Sequence, residues 1–155
     1  GWNVKEGTHC FNAANELTEL ASCPDVDAFG NKLIDPVMEF ENVANPEGGH
    51  FVVVVGGNVY RGNSIPGLEG KYVFANFSTS AATPAGELYV TNPGGPGLWS
   101  SEKLTLKSFG DNVGYYIKGF GQDMSGEIYV LGSKSLGPSG TSGKVFKLVA
   151  EKKDH

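Results

Sequence analysis

Gly126-Glu-Ile-Tyr-Val130 repeats Gly86-Glu-Leu-Tyr-Val90 with one conservative exchange, about forty residues further along the chain. Each copy joins a turn glycine and one polar residue to an aromatic-bearing strand, and each follows another strand through a short turn or loop. A recurrence of about 40 residues is the size of one four-stranded propeller blade, whose sheet cannot bury both faces unless neighbours stack on it. The pentapeptides therefore predict two successive sheets of one radial assembly.

Working outward, the chain offers short strands everywhere beyond residue 35. They are Val37–Glu41, Phe51–Arg61, Lys71–Phe74, Glu87–Val90, Leu104–Phe109, Tyr115–Phe120, Glu127–Leu131 and Lys144–Val149. Each is rich in Val, Tyr or Phe and bounded by Gly, Pro, Asn or Ser. Turn-rich connections lie at 92–97 and 132–143. The strands ending at Arg61, Phe74, Val90 and Phe109 are expected in one sheet, innermost first. The last three segments form a second sheet that is one strand short. Val37–Glu41 either completes that sheet or belongs to a preceding one. The one helical candidate, Asn12–Ala21, lies between the two cysteines and has room for a turn or two.

The fold class expected is all-β: a partial propeller of about two antiparallel blades. The expected division is a loop region at 1–34, a blade at 35–110, a last blade at 111–150 and a tail at 151–155. Composition agrees, since 23 glycines and 8 prolines in 155 residues suit short strands and tight turns. A net charge of -5, and no basic cluster longer than Lys152-Lys153, argue against nucleic acid as a partner. No apolar run approaches the roughly 18 residues of a membrane-spanning helix. A chain beginning Gly1-Trp2-Asn3 is expected to have lost a leader or an upstream portion.

Cys10 and Cys23 are the only cysteines. Their spacing fits a disulfide worth roughly 3 kcal/mol in an oxidising compartment. Two free thiols, or a metal site with His9, are the alternatives. Asp25-x-Asp27 resembles the start of a calcium loop, but Phe29 and Pro36 stand where ligands are needed. Gly119-x-Gly121 precedes a strand, so no helix N-terminus holds a phosphate there. His50 either faces a central channel or is a turn histidine in water, with no carboxylate partner evident in the sequence. Asp123 is expected to cap the turn before Gly126. Asn76-Phe77-Ser78 satisfies the glycosylation pattern. Ser139, Thr141 and Ser142 have no His/Asp companion for nucleophilic catalysis.

A set of motifs in order covers nearly the whole chain. It runs Gly1-Trp2 with Glu6-Gly-Thr-His-Cys-Phe11, Asp35-Pro-Val-Met-Glu-Phe40, Gly56-Gly-Asn-Val-Tyr-Arg-Gly62 and Ile65-Pro-Gly-Leu-Glu-Gly-Lys-Tyr-Val-Phe74. It continues with Gly119-Phe-Gly-Gln-Asp123, Gly126-Glu-Ile-Tyr-Val130 and Gly137-Pro-Ser-Gly-Thr-Ser-Gly-Lys-Val-Phe-Lys-Leu148. The set resembles the C-terminal portion of the glucose/sorbosone dehydrogenase family, six-bladed propellers with Hedgehog-interacting-protein-like relatives. The resemblance implies a periplasmic, secreted or lumenal protein. In catalytic members it implies pyrroloquinoline quinone (PQQ) and calcium as cofactors and a sugar as substrate. Lys118, with Tyr116 on the same face, falls where the family presents cations to the quinone carboxylates; a solvated strand lysine is the plain alternative. The family's base histidine has no counterpart, and two blades cannot ring a cofactor. The expectation is therefore a non-catalytic binding or scaffold portion of a larger extracytoplasmic assembly, needing a protein partner or the missing blades. The alternative is the C-terminal part of a PQQ-dependent aldose dehydrogenase, active only with upstream blades.

Overall fold

The structure, a computed structural model, describes residues 1–151; the remaining tail, with Lys152, Lys153 and His155, lies outside the described residues. Among the described residues every regular element is a strand. A two-residue hairpin, β1 (Lys5–Glu6) with β2 (His9–Cys10), is followed by β3 (Val54–Val59), β4 (Tyr72–Asn76), β5 (Glu87–Thr91) and β6 (Ser101–Lys103). The chain closes with β7 (Tyr116–Gln122), β8 (Ile128–Ser133) and β9 (Lys144–Lys147). Two antiparallel sheets result, with strand orders β3-β4-β5-β6 and β7-β8-β9. β3 and β7, the first strands of the two, pack against each other as neighbouring propeller strands do.

The outer strand of the first sheet is Ser101–Lys103, not Leu104–Phe109. Leu104 and Leu106 instead turn inward against the clusters that join the sheets, and the bridge between Leu106 and Gly110 closes a turn. Val37–Glu41 is no strand and completes neither sheet. Its Phe40 stacks on Phe51 at 4.2 Å and lies 5.5 Å from Phe74, so aromatic burial outweighs strand pairing there. The 12–21 segment forms two successive turns and no helix. The bridge between Phe11 and Glu19, together with the Cys10–Cys23 disulfide, holds it too tightly curled.

Alternation along the strands sorts the core. Val73, Ala75, Leu88 and Val90 face the second sheet, where they meet Ile117, Ile128 and Val130. Phe74 and Tyr89, on the opposite face, are covered by Phe51, Met38 and Phe40 from the N-terminal segment. Each such side chain contributes about 1.5–3 kcal/mol when fully buried. The first sheet is thus covered on both faces, whereas the bare propeller faces expected from the sequence survive only on the second. There Leu131 is 38% and Val145 66% exposed.

The repeated pentapeptides do not occupy equivalent places. Gly86–Val90 leads into the third strand of its sheet and Gly126–Val130 into the second strand of the other. What the copies share is contact with the neighbouring sheet. A Cβ on Gly86 would stand 2.6 Å from the carbonyl oxygen of Tyr115, and one on Gly126 would collide with the backbone of Arg61. Only glycine lets the sheets approach so closely. Gly86→Ala should therefore lower stability by about 1–3 kcal/mol. Gly137→Ala, with open space at its Cβ, should stay within about 0.5 kcal/mol. Urea unfolding of the two variants measures the difference.

Candidate functional site

Loops at one end of the two sheets bring the polar side chains together. The β4–β5 connection, the start of β7 and the segment before β3 meet there, tied by Ile117 N–H to the Phe77 carbonyl and Gly86 N–H to the Tyr115 carbonyl. Asn76 closes β4 opposite Glu87, which opens β5. Both are buried although polar, so each needs partners.

Glu87 finds three. Its Oε2 lies 2.6 Å from His50 Nε2 and accepts the Tyr89 hydroxyl at 2.8 Å, while Oε1 accepts Lys103 Nζ at 2.6 Å. Burial alone would push this carboxyl up, but the bonds from Lys103, Tyr89 and His50 together hold it below the usual range. Desolvation first, and then the Glu87 bond, push the Tyr89 phenol well above its ordinary value. The His50 side chain is 57% exposed against 4% for Glu87, so the imidazole sits on a buried carboxylate with its other edge towards water. Lys103 already shares that negative charge, which weakens any drive it gives His50 as a base. The arrangement clamps the N-terminal cover onto the first sheet.

The carboxylate partner missing from the sequence reading of His50 is thus 37 residues downstream. Its only signal was a glutamate placed inside an apolar strand motif. Asn76 is also corrected: it is fully buried, its Nδ2 donates to the His50 carbonyl and its Oδ1 accepts Val52 N–H. A glycan on Nδ2 does not fit this fold.

Lys118 and Tyr116 are brought together as the sequence suggested, with Phe77 as an unforeseen third member. Phe77 stacks on Tyr116 at 5.0 Å, and Lys118 Nζ lies 4.7 Å and 5.4 Å from the two ring centroids. The ammonium donates to the Leu136 carbonyl, and the Tyr116 hydroxyl to that of Ala81. Among the described residues no carboxylate pairs with Lys118 within salt-bridge distance.

The second repeated glutamate serves the opposite end. Glu127 accepts the Tyr60 hydroxyl at 2.9 Å and Ser64 N–H at 3.2 Å, joining the second sheet to the β3–β4 loop. The Ser64 bond, with help from Tyr60, holds its carboxyl low. Asp123 caps its turn by accepting N–H groups of Ser125 and Glu127. Asp25 pairs with Lys5, and Asp27 accepts from Phe29 and Asn31, so these aspartates make ordinary loop contacts. Among the described residues no group of three or more His, Cys, Asp or Glu could hold a metal ion. No helix there is long and apolar enough to cross a membrane. Cys10 and Cys23 form the disulfide.

Comparison with known proteins finds Hedgehog-interacting protein of Homo sapiens, 36% identical over 107 residues, covering 64% of this chain and 14% of that protein. Hedgehog-interacting protein of Mus musculus gives the same identity and coverage. The matched region is thus about one seventh of the length of these relatives. No family model matches the chain, and no solved structure matches it.

Because the folded Glu87 carboxyl titrates below its unfolded value, its stabilisation is complete above pH ~4.3 and is lost as pH falls through the lowered value. Glu87→Gln should be about 1–3 kcal/mol less stable at pH 7. It should also lose less stability than the parent on acidification. Urea unfolding at pH 7 and across the acid range checks both; an unchanged acid slope contradicts the assignment.

Proposed function

We propose that this chain is a non-catalytic binding or scaffold portion of a larger extracytoplasmic, propeller-like assembly, with residues 1–155 acting as one partial unit. The observation that carries the reading is the uncovered outer face of the second sheet. Leu131 and Val145 pair across β8 and β9 and remain exposed, and Gly119 and Gly121 of β7 have open space where side chains would stand. The first sheet shows what such a face needs, since both of its faces are covered. A face of this kind takes another sheet or a protein partner. The disulfide supports an oxidising compartment. Similarity to Hedgehog-interacting protein supports protein binding as the role.

A second reading is favoured by Lys118 alone: the chain as the last part of a PQQ-dependent sugar dehydrogenase completed by further sheets. An ammonium on two aromatic rings, with no carboxylate partner among the described residues, fits one carboxylate of the quinone. The described residues do not fit calcium, for which they offer no clustered donor set. Bound, the quinone would accept hydride; this chain's share would be to hold and orient it through Lys118 and Tyr116.

Sedimentation velocity over rising concentration tests the first reading. The full chain should self-associate, and Val145→Glu should weaken association about 10-fold or more, the loss of roughly 1.4 kcal/mol. A compact 16.4 kDa species at every concentration would overturn it. Turnover of a sugar by the chain alone, with PQQ, calcium and an electron acceptor, would overturn its non-catalytic part. Lys118→Met should weaken PQQ binding if the second reading holds.

A further inference from the structure

Residues 1–37 turn large apolar side chains outward. Before Phe51 no residue is buried, and among those on the surface Phe29 is 90%, Ile34 93% and Trp2 71% exposed. Covalent and polar bonds give this segment its shape in place of a core. The Cys10–Cys23 disulfide closes one loop. A bridge between Val26 and Lys32, with Leu33 N–H donating to the Asp25 carbonyl, closes a hairpin. Asp27 stiffens its tip by accepting the N–H groups of Phe29 and Asn31. Thr8 donates from both its N–H and its hydroxyl to Glu39, which fastens the β1–β2 hairpin to the segment covering the first sheet. Apolar side chains held on so fixed a frame lose little freedom when a partner covers them, which is the condition for a binding surface.

A cleft of about 220 Å³ lies between the turn that carries Trp2 and the base of the Phe29 hairpin, with Lys5, Leu33, Ile34, Asp35 and Pro36 in its lining. Lys5 Nζ lies 2.9 Å from Asp25 Oδ1 and 3.6 Å from Asp35 Oδ1, and both carboxylates are largely open to water. Two carboxylates on one ammonium leave a net negative charge at the cleft. The surroundings add to it, since residues 1–41 hold eight of the 17 acidic residues and two of the 12 basic ones. A negative rim beside an apolar wall selects a cationic side chain next to an apolar one. Arginine suits it better than lysine, because its planar fork bonds carboxylates bidentately and its weaker hydration eases docking against Ile34 and Pro36. A second copy of this chain does not present that pattern. Its only arginine, Arg61, stands in sequence between the buried Tyr60 and Gly62.

We propose that this cleft docks a protein segment in which an arginine is flanked by apolar residues. The guanidinium takes the carboxylate oxygens that Lys5 leaves on Asp25 and Asp35, and the flanking side chains cover Ile34 and Phe29. The surface is a different one from the outer face of the second sheet, which carries Lys147 beside Tyr129. The inference rests on the binding reading above for its biological use, and adds to it a second surface with a partner chemistry of its own.

The test titrates the full, disulfide-intact chain with three short peptides and follows its backbone N–H shifts by NMR. The peptide cores are Leu-Arg-Phe-Arg-Leu, Leu-Glu-Phe-Glu-Leu and Ser-Arg-Ser-Arg-Ser. The first should shift Lys5, Ile34 and Asp35 with a Kd of about 1 mM or tighter, and the other two should bind at least about 10-fold more weakly. Asp25→Asn/Asp35→Asn should weaken the first peptide at least about 10-fold. Glu16→Gln/Glu47→Gln removes the same charge elsewhere and should change its affinity less than about 2-fold. Ile34→Ser alters a side chain that meets no core, so it should weaken the peptide about 5-fold with unchanged shifts at Ile128 and Val130. No shift at the cleft, equal affinity for either control peptide, or equal loss in the two double variants would overturn the proposal. Shifts at Leu131 and Val145 in place of the cleft would also overturn it and leave the binding reading standing. Self-association measured by sedimentation reports on the outer face without peptide, so failure of the cleft and failure of the binding reading are told apart.

Discussion

Strands β4 and β5 are apolar on both sides, and a sheet of that kind has to be covered twice. Val73, Ala75, Leu88 and Val90 require one cover, and Phe74 and Tyr89 require another. The second sheet supplies the first cover. The irregular segment from Met38 to Phe51 supplies the second, although it contributes no strand. Most other features of the molecule follow from this double demand: the inward turn of Leu104 and Leu106, the aromatic stack around Phe40, and the clamp at His50 that fixes the cover in place.

Close packing of sheets brings their backbones and polar groups into conflict, and the Gly-Glu steps resolve it locally. The glycine removes the side chain at the point of closest approach. The glutamate that follows carries a charge into the interface, where it is tolerable only with several donors. Glu87 has Lys103, Tyr89 and His50; Glu127 has Tyr60 and Ser64. One glutamate fixes the N-terminal cover to the first sheet, the other fixes the second sheet to the first. Their fixed partners hold both carboxyls below the usual range.

The second sheet lacks these compensations on its outer side. Its exposed Leu131 and Val145 and its bare Gly119 and Gly121 share one face, whereas the corresponding apolar face of the first sheet is covered by the Met38–Phe51 segment. A surface that is both apolar and strand-edged favours extension by another sheet over binding of a small molecule. Lys118 on Phe77 and Tyr116, next to Gly119 on β7, offers a cation instead. The two are chemically different surfaces, and they underlie the two functional readings proposed above.

The sequence by itself determined the all-β class, the positions of most strands to within a few residues, the missing strand of the second sheet, the Asp123 turn and the meeting of Lys118 with Tyr116. These depend on local pattern: period-two alternation, turn glycines and short spacing. Only tertiary structure decided that Val37–Glu41 covers the first sheet as an irregular segment, because its aromatic contacts outweigh strand pairing there. It also decided that Asn76 is buried and that His50 meets Glu87. Those contacts join residues 24 to 37 positions apart, and side-chain burial and hydrogen bonding across such gaps exist only once the sheets have stacked.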